Sequence, residues 1–185
     1  CLDLVTNVLF MSNLYYTVFD TDVCTVLLVL TLNGFVCYAS LGKPAIELKG
    51  IMAKDFLSLP YQLKPLSTMT GDKIEIDKSV EKFKLLVETP SVSQDIKTEL
   101  VFGTPLQRKV WKELVKIPAG QTRTYKELAD LLGTHSRVIG NCCGANRIAV
   151  LIPCHRVVGA NNKLTGYRWG KSYKEYLLKQ EGIGI

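Results

Sequence analysis

The pattern of apolar and polar positions divides the chain into a strand-rich first half and a helical second half. Residues 14–21 and 23–32 are dense in β-branched and aromatic side chains and predict strands. Asn33-Gly34 follows, and because both residues tolerate positive φ it predicts a hairpin whose return strand is 35–41. Pro44 suits the first turn of a helix with apolar positions Ile46, Leu48, Ile51, Met52, Phe56 and Leu57. Residues 58–79 are turn-forming and polar and read as a loop or linker. A short helix is expected over 79–87 and a domain boundary over 90–95.

The second half is punctuated by helix-start signals. Thr104/Gln107, Thr124/Glu127 and Ser172/Glu175 each have the spacing of a capping box, in which hydroxyl and carboxamide or carboxylate satisfy each other's backbone N–H. The first opens a helix with Pro105 at its start and Leu106, Val110, Trp111 and Leu114 on its apolar face. The second carries Leu128, Ala129, Leu131 and Leu132 and ends at Gly133. The third carries Tyr173, Tyr176 and Leu177 and ends at Gly182. Ser136 can cap a further short helix from Arg137 to about Asn146, so 124–146 reads as helix, four-residue turn, helix. Such a pair either binds DNA or only packs. Its second helix holds a run of small side chains, Asn141-Cys142-Cys143-Gly144-Ala145-Asn146. They suit close packing on another helix or entry into a narrow groove, with Arg137 the one long side chain. The fold class is therefore α+β: a small hairpin or sheet-plus-helix unit at 1–95, then a mainly helical unit at 96–185 containing the helix-turn-helix.

Charge adds to this picture. Of the 185 residues, 1–100 hold 9 Lys/Arg and 12 Asp/Glu, whereas 101–185 hold 14 and 5. A basic half beside an acidic one points to a polyanionic partner, or else to a solvated basic face. The six cysteines lack the spacing of a disulfide framework, which suggests a reduced, intracellular protein. No CxxC pair occurs and the only histidines are His135 and His155, so no zinc site is expected. The apolar stretch 23–36 is interrupted by threonine and by Asn33-Gly34, so no membrane span is expected. Met11-Ser12-Asn13 offers a natural start, making residues 1–10 an upstream extension or a gene-model artefact.

Reactive chemistry concentrates at Cys154-His155-Arg156, between the apolar run 148–152, expected as a buried strand or extended segment, and Val157-Val158. A cysteine here is either inert core or a nucleophile whose thiolate is favoured by nearby positive charge. Neighbours in sequence point in different directions, so a water would relay a proton from Cys154 to His155. His155 needs a group to fix its tautomer. The acids of this half are Glu113, Glu127, Asp130, Glu175 and Glu181. Glu127 and Glu175 have capping roles. Glu181 sits in a last helical turn, where the dipole disfavours it, and is the chosen partner.

The segment Ile152-Pro153-Cys154-His155-Arg156-Val157-Val158 resembles the active-site signature of the O6-alkylguanine-DNA alkyltransferases. The resemblance covers roughly 101–182, with Phe102-Gly103-Thr104, Gln107-Arg108-Lys109-Val110-Trp111, Arg123-Thr124-Tyr125, Arg137-Val138-Ile139-Gly140, Asn146, Thr165-Gly166-Tyr167-Arg168-Trp169 and Lys174-Glu175-Tyr176-Leu177-Leu178 in order. It implies a single-turnover DNA-repair protein that takes an alkyl group from O6-alkylguanine, with O4-alkylthymine as a further substrate, onto Cys154. It further implies His155 as the base acting through water, Glu181 as its orienting acid, Asn146 in the supporting network and Tyr125 as donor to the departing guanine. Arg137 would replace the flipped base, and Asn141, Cys142, Gly144 and Arg156 would contact DNA. Tyr167, Thr165 and Gly166 would line the substrate pocket. Expected with these are no cofactor or metal, binding to double-stranded DNA through the minor groove, no membrane, a monomer, and a nuclear site in a eukaryote or a cytoplasmic one otherwise. Ser136 and Val138 stand where the family often has alanines, and the turn 133–136 is shorter than in many members. The alternative is a non-catalytic alkyltransferase-like protein that binds lesions, from which the presence of Cys154 departs.

Overall fold

The computed structural model describes residues 11–42 and 44–185; the expected upstream extension, 1–10, lies outside the described residues. Strands β1 (Ser12–Asp20), β2 (Thr25–Leu30) and β3 (Val36–Gly42) form an antiparallel meander. Helix α1 (Ala45–Phe56) then crosses to β4 (Tyr61–Pro65), which pairs parallel with β1 and gives the order β3-β2-β1-β4. Helix α2 (Ile74–Glu88) completes the first half. The second half comprises α3 (Pro105–Val115), β5 (Arg123–Thr124), α4 (Tyr125–Leu132), α5 (Ser136–Gly144), β6 (Val157–Val158) and α6 (Lys171–Gln180). The architecture is α+β, with the helix-turn-helix formed by α4 and α5.

Every residue of β2 is buried, which is why it reads as an unbroken apolar run. Its two faces serve different partners. Leu27 and Val29 pack with Leu48, Met52 and Phe56 of α1. Val26, Leu28 and Leu30 join a cluster that runs through Val110 and Leu114 of α3 and Ile139 of α5. The period-two alternation thus fastens the sheet to α1 on one side and to the helical half on the other. At the hairpin only Gly34 takes positive φ (78°), and a Cβ there would lie 2.5 Å from the Glu75 carbonyl oxygen.

Several expectations are corrected. The segment 58–79 is not a linker, for it supplies β4 and the start of α2. β4 is a half-buried edge strand carrying Lys64 and ending in Pro65, features that edges tolerate and that hide a strand from pattern reading. On α1, Ile46 and Ile51 are exposed, as are Leu57 at its C-cap and Leu106 on α3. The run 148–152 is not a strand. Ile148 makes a single bridge to Ala39, and the chain then turns through Val150 at φ 68°, a left-handed conformation costly for a β-branched side chain. Ser136 lies inside α5, whose N-cap is His135 without a side-chain bond. Ser172 does not cap α6 either. The helix starts at Lys171 after Gly170 (φ 113°), and Glu175 pairs with Lys179 at 2.9 Å.

Candidate active site

The loop between α5 and β6 is fixed from both halves of the chain. Edge strand β3 receives it: Ala39 N–H donates to the Arg147 carbonyl (2.9 Å), and Ala149 N–H donates to the Ala39 carbonyl (3.0 Å). Asn146, fully buried, organises the interior. Its Oδ1 accepts from Ile148 N–H (2.9 Å), and its Nδ2 donates to the carbonyls of Ile152 (3.0 Å) and Ile148 (3.3 Å) and to Cys154 Sγ (3.3 Å). Cys154 opens a single 3-10 turn, Cys154–Arg156, and the next two residues, β6, pair in parallel with β5. The thiol is 4% exposed. Burial pushes its pKa up to about 11, against the pull of the Asn146 hydrogen bond and of the Lys174 and Arg168 charges.

Behind the cysteine lies a buried charge cluster. His155 Nε2 is 3.0 Å from Glu181 Oε1. An ionised carboxylate only accepts, so Nε2 carries the proton. Nδ1, buried and without a hydrogen-bond partner among the described residues, is then the basic nitrogen. Burial lowers the imidazole pKa, and Glu181 offsets part of that. Burial of Glu181 would raise its own pKa, but hydrogen bonds from His155 and Arg156 outweigh it and hold the carboxyl below its ordinary value. Arg156, expected among the DNA contacts, is turned inward, its side chain only 13% exposed. Its guanidinium grips Glu181 (2.7 Å from Nη2, 3.0 Å from Nε) and the Ile117 carbonyl (2.7 Å), because the buried carboxylate is the nearest charge that matches its planar fork.

A cavity of about 260 Å³ reaches Cys154 between Tyr125, Gly140 and Gly144 on the helix-turn-helix and Gly166, Tyr167 and Arg168 on the returning loop. Tyr125 and Thr165 meet through their hydroxyls at 2.9 Å. Four residues here were not foreseen as site residues: Gly140, Cys143 and Arg168 on the cavity wall, and Lys174 beside Thr165. Lys174, fully buried, donates to Thr165 Oγ1 (2.9 Å) and to the Val157 carbonyl (2.6 Å). The signal for Lys174 was present: it lies four residues before Leu178 and seven before Glu181, on the inward stripe of α6.

The outer face of α5 carries Arg137, Asn141 and Gly144, spaced i, i+4, i+7 and all exposed. Cys142, expected among the DNA contacts, lies on the opposite side. It is buried beside Ile139, and its carbonyl accepts from Trp111 Nε1 at 2.8 Å. One helical step of about 100° separates it from Asn141.

A family model described as the DNA-binding domain of 6-O-methylguanine DNA methyltransferase matches residues 105–183. The chain is 99% identical over 175 residues to a methylated-DNA–protein-cysteine methyltransferase of Candida albicans, covering 95% of this chain and 100% of that protein. It is 42% identical over 183 residues to the protein of that name from Scheffersomyces stipitis, covering 92% and 94%. Its fold is similar to that of Mycobacterium tuberculosis OGT solved in complex with DNA, with a TM-score of 0.69 at 28% identity over 91% of this chain and 93% of that one.

Proposed function

The chain belongs to the methylated-DNA–protein-cysteine methyltransferase family, and from that premise we propose that it repairs O6-alkylguanine in duplex DNA by moving the alkyl group onto its own Cys154. The observation that carries this is a cavity bounded by a helix-turn-helix and reaching a buried thiol, with a buried His155–Glu181 pair next to that thiol in the chain. A base within the stack is out of reach of a thiol 4% exposed, so the damaged nucleotide must be flipped out of the duplex. Arg137 on the exposed face of α5 fills the gap, and the small residues Asn141 and Gly144 let the helix backbone approach a narrow minor groove.

In the chemical step His155 Nδ1 takes the Cys154 proton through a bridging water, while Glu181 keeps Nε2 protonated and the ring oriented. The thiolate attacks the alkyl carbon, the S–C bond forms and the C–O6 bond breaks with its electrons going to guanine. Tyr125 donates to the purine as it leaves, so that no full negative charge develops on it. The product is a thioether, which ordinary hydrolysis does not reverse, so each molecule acts once. We further propose that the protein works as a monomer, with 96–185 carrying the chemistry and 1–95 as the variable unit. Because the relatives named above include yeast proteins, we propose a nuclear location over a cytoplasmic one.

The test is to mix the protein with a duplex containing a single O6-methylguanine and to weigh the intact protein and its peptides. A gain of one methylene on the Cys154 peptide, at one equivalent and no more, is expected. Cys154→Ala should abolish the gain while DNA binding persists. Modification of Cys142 or Cys143 instead, or repeated turnover, would overturn the reading.

A further inference from the structure

Lys174 is the least expected charge in the molecule. It is fully buried, and its three hydrogen-bond acceptors are all neutral oxygens: the Val157 carbonyl (2.6 Å), Thr165 Oγ1 (2.9 Å) and the Gly166 carbonyl (3.5 Å). Among the described residues no carboxylate meets it, and a buried ammonium so placed is costly. Burial accordingly lowers its pKa, whereas a thiolate at Cys154 would favour the charged form. An ammonium has only protons to give. Thr165 must therefore meet Lys174 with an oxygen lone pair, which frees its own proton for its other close partner, Tyr125 Oη at 2.9 Å. The direction of that second bond then follows. If Thr165 gives its proton to the phenol oxygen, the phenol's own proton is left to point elsewhere, and Tyr125 lines the cavity that reaches Cys154.

We infer that Thr165 is a positioning residue for the leaving group: anchored by Lys174, it donates to Tyr125 and so turns the tyrosine proton into the pocket toward the departing purine. Receiving that hydrogen bond also makes the phenol a better donor, and the Thr165 contact lowers the Tyr125 pKa against the dominant upward push of burial. Lys174 Nζ, 6.0 Å from the centroid of the Tyr125 ring, adds its charge in the same direction. Thr165 touches no reacting atom in this scheme and acts only through Tyr125.

The inference rests on the alkyl-transfer reading above, and the experiment separates the two. Single-turnover transfer of benzyl to Cys154 is measured with free O6-benzylguanine and with its 8-bromo derivative, whose purine is the more acidic leaving group. Thr165→Val keeps the side-chain shape and removes the hydrogen bond. It should slow transfer from O6-benzylguanine about tenfold, the rate equivalent of one hydrogen bond. The slowing should shrink with the 8-bromo substrate, and Thr165→Ser should restore the parent rate with both. In Tyr125→Phe, adding Thr165→Val should cost nothing more, because its only route to the reaction is already gone. A Thr165→Val rate equal to the parent's would overturn the inference. So would equal slowing on both substrates, or a loss in the double variant equal to the product of the single ones. Failure of the parent protein to acquire methyl on Cys154 from a duplex bearing one O6-methylguanine would instead overturn the alkyl-transfer reading itself.

Discussion

Glu181→Gln changes one oxygen to a nitrogen at the centre of the buried charge cluster, and its effect can be bounded from the contacts. The Glu181 side chain is fully buried and that of Arg156 is 13% exposed, with 2.7 Å between them. Glutamine keeps one acceptor but removes the charge and turns an NH2 group toward the donors of Arg156 and His155. Breaking a buried ion pair from one side costs about 3–5 kcal/mol, because the other charge is left without its partner. For a chain of this size that corresponds to a fall in Tm on the order of 10 °C. The same substitution removes the anion that stabilises a protonated His155, so transfer should slow by about a hundredfold. Thermal melts followed by circular dichroism read the first effect, and single-turnover benzyl transfer to Cys154 reads the second. Arg156→Leu with Glu181→Leu separates them. Replacing both charges by apolar groups should recover much of the lost stability and none of the lost rate. A Glu181→Gln protein melting within about 2 °C of the parent would refute the argument, since that shift is worth under 1 kcal/mol.

Arg137→Ala should slow repair in a duplex by roughly tenfold or more, because extruding a base costs a few kcal/mol, and should leave transfer from free O6-benzylguanine nearly unchanged; equal slowing of both would make Arg137 structural. The Cys154 pKa is raised from 9.0 to about 11 on folding, so the folded form binds the proton more tightly and the stability this contributes is complete below about pH 9 and lost as pH rises toward about 11. Urea melts of parent and Cys154→Ala should therefore differ by a constant below about pH 9, and the parent should lose stability relative to the variant between about pH 9 and 11, the comparison removing the shared background of Cys37 and Cys143, whose pKa values burial also raises; profiles that stay parallel above about pH 9 would count against it. Alkylated protein should melt below the free form, and benzyl should lower Tm more than methyl, since overpacking costs about 1–3 kcal/mol and the Asn146–Cys154 bond is weakened; an unchanged Tm after benzylation would show that the pocket already has room.

Local chemistry was legible in the sequence and phase was not. Thr104/Gln107 and Thr124/Glu127 form reciprocal capping boxes because each sits directly before its helix. Ser172/Glu175 has the same spacing but lies inside α6, where Glu175 finds Lys179. The helix-dipole argument that chose Glu181 for His155 named a residue that the structure places 3.0 Å from it, although Glu175 was set aside for a capping role it does not have. It could not show that Arg156, from the same tripeptide as Cys154, would hold the other edge of that carboxylate, since the pairing spans 25 residues of chain. On α5 the run of small residues gave no amphipathic stripe to set the rotation. Cys142 was therefore placed outward and Cys143 overlooked, although a step of about 100° decides which of them sees the cavity. β4 was missed because its partner, β1, lies some fifty residues earlier, and a half-buried edge strand shows little alternation.

The division of α5 into two faces connects recognition with chemistry. Arg137, Asn141 and Gly144 look outward, while Gly140, Cys143 and the flank of Gly144 border the cavity that reaches Cys154. On the binding mode proposed above, a base leaving the groove enters that cavity from the side of this helix. The thiol itself is kept inactive until then. Burial raises its pKa above that of an ordinary thiol, so the resting group is held protonated. That suits a nucleophile used once, because an unburied thiolate would be consumed by any small electrophile. Activation needs the nearby base and the favourable charges of Lys174 and Arg168, which act strongly only in a site closed to bulk water. The same burial that suppresses the resting thiolate therefore strengthens the interactions that stabilise it once substrate is bound, and reactivity follows recognition of the lesion.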